Sequence, residues 1–288
     1  MSEPAIQTLL RRLDLERLDR DLFRGYTPND GRPRVFGGLV AAQALVAAAR
    51  TVPPDIRPHS LHSYFLRPGD PTRPILYEVD RIRDGKSFLT RRVVGIQEGE
   101  AIYSAGVSFH KEEDGLSHQV EMPDAPPPEQ FPTNRVRLAE LAERSGHPVF
   151  KFLLTVESPI EHRDPEFIDP LSPHPHRGLK RLWFKPDGPM PPEPIVHAAV
   201  MTYATDMGLL DNCIQWHGLT WLAPKLQVAS LDHAIWFHRE VKLDDFHLYA
   251  MESPSAEGSR GFNLGRIFDR SGRLVASTAQ ESLMRLHA

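Results

Sequence analysis

Asp206 is the residue of this 288-residue chain whose setting says most about chemistry. It closes the segment EPIVHAAVMTYATDM, which is apolar on most sides, so a helix through it carries a carboxylate near its C-terminal end. The partial negative charge of a helix end disfavours a carboxylate by about 0.3–1 kcal/mol, and burial adds a desolvation cost. If the helix persists, Asp206 is a buried carboxylate that needs partners. If it frays at Asp206-Met207-Gly208, the side chain is solvated, and periodicity alone leaves both readings open. Ser230-Leu231-Asp232-His233 invites a Ser/Asp/His triad. Strand side chains alternate faces, however, so Ser230 and Asp232 point one way and His233 the other. No G-x-S-x-G elbow occurs, and the triad is set aside. Gln280, in STAQESLMR, is an amide inside a strand-like run, a type common on half-exposed surfaces.

Other candidates carry weaker signals. His174 and His176, in SPHPHR, have metal-binding spacing but lie in a proline-rich loop without a nearby carboxylate or thiol, so no metal is expected. Arg32, Arg34 and the pair Arg91-Arg92 have the charge to hold phosphate, although such residues are more often simply exposed. Cys213 is the only cysteine, which excludes an intrachain disulfide and fits a reducing compartment. A buried packing role suits it better than a nucleophilic one.

The elements that must position these groups are legible as patterns. Residues 4–21 form an amphipathic helix with Leu9, Leu10 and Leu13 on its apolar face, and Leu22–Tyr26 a short strand. VFGGLVAAQALVAAAR (35–50) is apolar nearly all round apart from Gln43 and predicts a helix buried on most sides. Four strands follow, 59–67, 75–83, 87–97 and 101–110, separated by PGD, DGK and EGE turns. Strands on such short turns make an antiparallel meander. Residues 111–132 become charged and then proline-dense, as a connector does. Beyond them the pattern predicts a helix at 134–144, strands at 150–156 and 179–185, and a second buried helix at 193–207. Four more strands are expected at 226–239, 246–252, 262–269 and 274–285.

Helix-then-meander therefore occurs twice. Tyr64-Phe65-Leu66-Arg67 aligns on Trp236-Phe237-His238-Arg239, and the same offset places Leu76-Tyr77 on Leu248-Tyr249. Two matches in one register point to duplication. The expected organisation is an N-terminal unit at 1–115, a linker at 116–135 and a C-terminal unit at 136–288.

With 34 basic and 38 acidic residues, the net charge is −4 and the basic groups are scattered, which argues against nucleic acid as the partner. The mixed-charge start does not read as a signal peptide, no run approaches the ~20 apolar residues of a membrane span, and Arg285–Ala288 is no peroxisomal address. A cytoplasmic setting is expected.

Taken together, LFRGYTPND, RPRVFGGLVAAQAL, HSLHSYFLRPGD, VMTYATDM, ASLDHAIWFHR and LVASTAQESLMR resemble the acyl-CoA thioesterase II family over nearly the whole chain. The resemblance implies an α+β double hot-dog, two antiparallel sheets each wrapped around a long central helix. It implies hydrolysis of fatty acyl-CoA to free acid and CoA, with no cofactor. It places the catalytic carboxylate at Asp206, the hydroxyl at Ser230 and the amide at Gln280, which would together hold the attacking water. His59 matches a family histidine associated with activity, with a pocket-lining and a packing role both open. Gly37 and Gly38, opening a buried helix, are expected to admit substrate and offer backbone N–H groups to a carbonyl oxyanion. Met201, Tyr203 and Leu209 would line the acyl slot, and a homo-oligomer is expected. Two alternatives stand beside this reading. One is a hot-dog enoyl-CoA hydratase or dehydratase using an Asp with His59 or His233. The other is a non-catalytic acyl-CoA-binding protein.

Overall fold

The structure, a computed structural model, describes residues 3–287; Met1, Ser2 and Ala288, which enter the readings of the two chain ends, lie outside the described residues. Helix α1 (Ala5–Leu13) leads into a hairpin of β1 (Glu16–Asp19) and β2 (Leu22–Gly25). Helix α2 (Gly37–Ala49) is followed by β3 (Ile56–Phe65), β4 (Ile75–Asp84), β5 (Phe88–Gln97) and β6 (Glu100–Lys111). After the proline-dense segment come α3 (Asn134–Ser145), α4 (Pro148–Thr155), β7 (Ile160–Arg163) and β8 (Lys180–Pro186). The second central helix, α5 (Pro194–Thr205), is trailed by the short α6 (Asp211–Gln215). The last strands are β9 (Leu226–Ser230), β10 (Asp232–Phe237), β11 (His247–Glu257), β12 (Arg260–Asp269) and β13 (Leu274–Leu286).

The strands run β1-β2-β4-β5-β6-β3-β10-β13-β12-β11-β8-β7, with β9 also paired to β13. Within this order, β2-β4-β5-β6-β3 and β8-β11-β12-β13-β10 are the same pattern written twice. The expected two sheets are thus two half-sheets fused edge to edge, because β3 pairs antiparallel with β10. Fusion satisfies the backbone of what would otherwise be two open edges. The register carries the duplication: Tyr64 faces Asp232 and Ser60 faces Trp236, pairs that exchange under the offset aligning Tyr64 with Trp236. Likewise Tyr77 faces Gly95 in one half and Tyr249 faces Ile267 in the other, at that same offset.

Alanine-rich α2 buries 11 of its 13 residues, and it packs directly against α5 and the inner faces of its strands. The small side chains let helix and sheet backbones approach closely, which is why this helix has no polar face.

Four sequence expectations need correction. The first helix stops at Leu13 rather than running to residue 21, because Arg50 reaches the Leu15 carbonyl and Asp14, and the chain turns into β1. The strand expected at 150–156 is not formed; residues 150–155 belong to α4, which Pro148 opens and His147 caps by accepting the Val149 N–H. A short apolar run fits either state by periodicity, and the proline at the first turn decides it. The single strand expected at 226–239 is broken at Leu231 into β9 and β10. Finally, the proline-dense connector is partly a packing element. Met122 and Ala125 cover Trp183 and Phe246, and Trp183 Nε1 donates to the Pro126 carbonyl.

Candidate active site

Asp206 is the C-terminal cap of α5 in helical geometry, and only 8% of it is exposed. The helix does not fray into solvent, which resolves the two readings the sequence leaves open. The packing of α5 on α2 brings the end of one central helix to the start of the other. The carboxylate therefore meets the positive end of α2, where the Gly38 backbone favours its ionised form. Both glycines are needed for this approach. A Cβ on Gly37 would lie 2.9 Å from Asp206 Oδ2 and 2.8 Å from the Phe65 ring, and one on Gly38 would lie 2.6 Å from the Tyr203 carbonyl.

Ser230 and Gln280 converge on the same point. Ser230 Oγ donates to Asp206 Oδ1 at 3.1 Å, and Gln280 Nε2 donates to Ser230 Oγ at 2.8 Å. Gln280 is wholly buried, not half-exposed as its residue type suggests. Burial pushes the Asp206 carboxyl above the usual carboxylate range. Nearby His233, the Ser230 hydroxyl, the Gly38 backbone and Arg34 pull the other way without cancelling it.

The break at Leu231 explains how these groups meet. Ser230 pairs with Ser282, and Ala234 pairs with Ala279, so a four-residue step on one side faces a three-residue step on β13. An extra residue in one strand is a β-bulge, and it slips the side-chain alternation by one. His233, expected to face away from Ser230, consequently turns to the same interior side. It is fully buried, with Nδ1 2.8 Å from Gln280 Oε1 and Nε2 3.1 Å from Thr205 Oγ1. Sequence reasoning set His233 on the face away from Ser230 because it assumed unbroken alternation, and nothing in the local sequence marks the bulge. Asp232, the third member of the tempting triad, instead accepts the Glu281 backbone N–H. There is no Ser/Asp/His triad.

The other candidates lie elsewhere. His59, expected to line the substrate site, sits on the opposite face of the sheet from α2. It is joined to Ser108 at 2.7 Å and stacked edge-on against Phe88, both of which alternate with inward-facing Val107, Phe109 and Leu89. A register shift between Pro58 and Ser60 accompanies this placement. Arg91 is not exposed but buried, donating to Thr51 and Asp84. Arg32 is tied to Asp30, and His174 is exposed in its loop. Cys213 is buried, as a packing residue would be.

A cavity of about 450 Å³ adjoins the site, bordered by Phe36, Tyr203 and Met207, the neighbours of Gly37 and Asp206. Its further walls come from α3, α4 and α6, among them Leu138, Phe150 and Ile214. Of the residues expected to line an acyl slot, Tyr203 borders this space, while Met201 and Leu209 are closed into the core. The cavity also touches the buried pair of Lys180 and Asp164, 3.4 Å apart, and buried His162, whose imidazole is pushed down to about 4 by burial.

The fold is a double hot-dog, and a carboxylate, a hydroxyl and an amide meeting where its central helices touch are the equipment of a hydrolase. Residues 25–110 match the family description "Acyl-CoA thioesterase N-terminal domain", and residues 150–283 match "Acyl-CoA thioesterase". The chain is 36% identical to acyl-CoA thioesterase 2 of Haemophilus influenzae over 280 residues, 97% of this chain and 98% of that one. It is also 36% identical to human acyl-coenzyme A thioesterase 8, covering 95% of this chain and 88% of the human one. Among solved structures, acyl-CoA thioesterase II TesB2 of Mycobacterium marinum superposes with a TM-score of 0.77 at 39% identity, covering 98% of both chains. A hot-dog protein of Alicyclobacillus acidocaldarius, 18% identical with a TM-score of 0.74 and covering 98% of this chain and 99% of that one, shares the fold. The chain belongs to the acyl-CoA thioesterase family.

Proposed function

We propose that this thioester hydrolase cleaves fatty acyl-CoA by direct attack of a water held between Asp206, Ser230 and Gln280. Asp206 accepts a proton from the water as its oxygen bonds to the thioester carbonyl carbon. The C–S bond then breaks, and the proton passes to the departing CoA thiolate. The free acid and CoA leave. No covalent enzyme intermediate is required, because a thioester carbonyl is already electrophilic. General-base catalysis of this kind contributes about 10²–10⁴ in rate. The first amide of α2, the Gly37 N–H, is the donor that faces the developing oxyanion, and such a donor contributes about 10²–10³. The acyl chain extends past Phe36 and Tyr203 into the adjoining cavity, whose volume lies in the range of small-molecule sites.

One observation carries this reading. Three side chains separated by 24 and 50 residues form one hydrogen-bonded series ending on a carboxylate whose burial favours proton uptake. A hydratase would need a histidine free to face the substrate carbons. His59 is on the far face, and both His233 ring nitrogens are engaged within the protein. No helix among the described residues is long and apolar enough to cross a membrane. The same reading includes a cytoplasmic role in lipid metabolism and self-association, supported for the latter by exposed Tyr64 and Phe88 on the outer sheet face. Light scattering of the purified protein tests the self-association.

The decisive measurement is turnover of long-chain acyl-CoA by Asp206→Asn, read as thiol release. A fall of at least 100-fold in kcat is expected, and near-wild-type turnover would exclude the base role.

A further inference from the structure

The hydrogen bonds around Asp206 have a direction, and that direction can be read back from the carboxylate. An ionised Asp206 only accepts, so Ser230, 3.1 Å away, donates to it. With its single proton spent, Ser230 Oγ must accept from Gln280, 2.8 Å away, which requires the amide nitrogen and not the amide oxygen to face it. The second amide proton has Ser282 Oγ at 3.4 Å on that same side. Gln280 Oε1 is thereby turned inward, where the imidazole Nδ1 of His233 lies 2.8 Å away and must donate. The other ring nitrogen lies 3.1 Å from Thr205 Oγ1, a hydroxyl that donates to the Thr202 carbonyl at 3.2 Å.

We propose that His233 is a positioning residue for the hydrolytic reaction. Protonated at Nδ1 and held by Thr205, it locks the Gln280 amide so that its nitrogen, not its oxygen, faces Ser230 and the water site. An amide turned by 180° would set its oxygen 2.8 Å from a serine oxygen whose proton is already committed to Asp206, and the series would break. Glutamine has no steric preference between the two orientations, so the choice must come from its partners. His233 and Gln280 are both fully buried, so no solvent replaces the missing donor when the imidazole is removed. The placement depends on the bulge at Leu231, which turns His233 to the inner face across from Gln280.

This inference rests on the hydrolytic reading of Asp206, Ser230 and Gln280, and the test separates the two. His233→Leu, in the full-length protein, is expected to lower kcat about 10- to 100-fold while KM changes by less than about threefold, the signature of a lost transition-state arrangement. In a Gln280→Ala background the same substitution is expected to cost less than about threefold more, because the group it orients is gone. Thr205→Val is expected to lose a smaller factor, about two- to fivefold, again only when Gln280 is present, and Thr205→Ser to restore it. Thr205→Val also serves as the reporter should His233→Leu fail to fold, as judged by circular dichroism. Equal losses with and without Gln280 would mean that His233 merely packs, and an undiminished His233→Leu enzyme would equally overturn the role. If Gln280→Ala and Asp206→Asn themselves turn over normally, it is the hydrolytic reading that falls.

Discussion

The two halves of this molecule repeat one architecture and treat the polar groups of their central helices in opposite ways. In the N-terminal half, Gln43 is buried in α2, and every reach of its amide ends on the protein. Tyr77 donates to Gln43 Oε1 at 2.8 Å, and Gln43 Nε2 donates to the Arg12 and Tyr26 carbonyls at 2.8 and 3.0 Å. In the C-terminal half the equivalent tyrosine, Tyr249, donates to the Thr205 carbonyl at 3.0 Å and bonds Thr278, bracing the end of α5. The polar residue there is a carboxylate at the helix end, where a hydroxyl, an amide and an imidazole converge and a cavity begins nearby. A neutral amide with all its bonds made internally knits a fold together. A buried carboxylate whose proton affinity is raised is a costly group, and cost of that kind marks function more often than support.

The largest effect that would sharpen this contrast is kinetic. Asp206→Asn is expected to lose at least two orders of magnitude in kcat, whereas Gln43→Leu leaves kcat within about twofold and lowers stability instead. If Gln43→Leu abolished turnover in a protein that stayed folded, the division between the halves would be wrong. Next, Ser230→Ala and Gln280→Ala should each lower kcat about 10- to 100-fold, and the double variant should lose much less than the product of the two, as residues acting as a unit do. Additive losses would show that they serve separate steps.

Acid stability offers a third comparison. His162 is buried with its imidazole lowered from 6.5 to about 4. A lowered histidine means that the unfolded chain binds more protons between pH 6.5 and 4, so stability falls as pH falls through that window. The upper limit for this single group is about 3 kcal/mol, at 1.36 kcal/mol for each pK step. His162→Leu should flatten the acid limb of a denaturation profile, and an unchanged limb would remove His162 from the account. Gln43→Leu is expected to cost about 1–3 kcal/mol at neutral pH, because the Tyr77 hydroxyl and two carbonyls lose their partner. In a chain of this size that amounts to a melting shift of about 2–4 °C for each kcal/mol.

The subtlest is the pH dependence of kcat. As the proposed base Asp206 must be ionised, and burial raises its carboxyl above the usual range, so the acidic limb of activity should lie above that of an ordinary aspartate. Ser230→Ala removes an interaction that favours the ionised form and should move the limb further up. A limb at the position of an unperturbed carboxylate would contradict the burial of the group.

Much of the fold was legible because it rests on local periodicity. The two apolar helices, the turns marked by PGD, DGK and EGE, and the repeated order are all written in near-neighbour patterns, and the strands of the first meander fall within three residues of expectation. The short apolar stretch at Phe150 was not legible, since eight residues suit either state until Pro148 is seen to open a helix. Among site residues, the identities of Asp206, Ser230 and Gln280 came from family likeness, and from residue types alone the last two read as ordinary strand positions. His59 shows the converse. Its motif marked it for the site, and the register of β3 against β6 turns it to the other face.

By itself the sequence determined the duplication, the buried helices and the presence of a carboxylate at a helix end, because each depends on residues close in the chain. Only the tertiary structure decided which groups meet that carboxylate. The α2–α5 contact and the one-residue bulge at Leu231 are long-range geometry, and a shift of a single residue in a strand reverses which face a side chain serves.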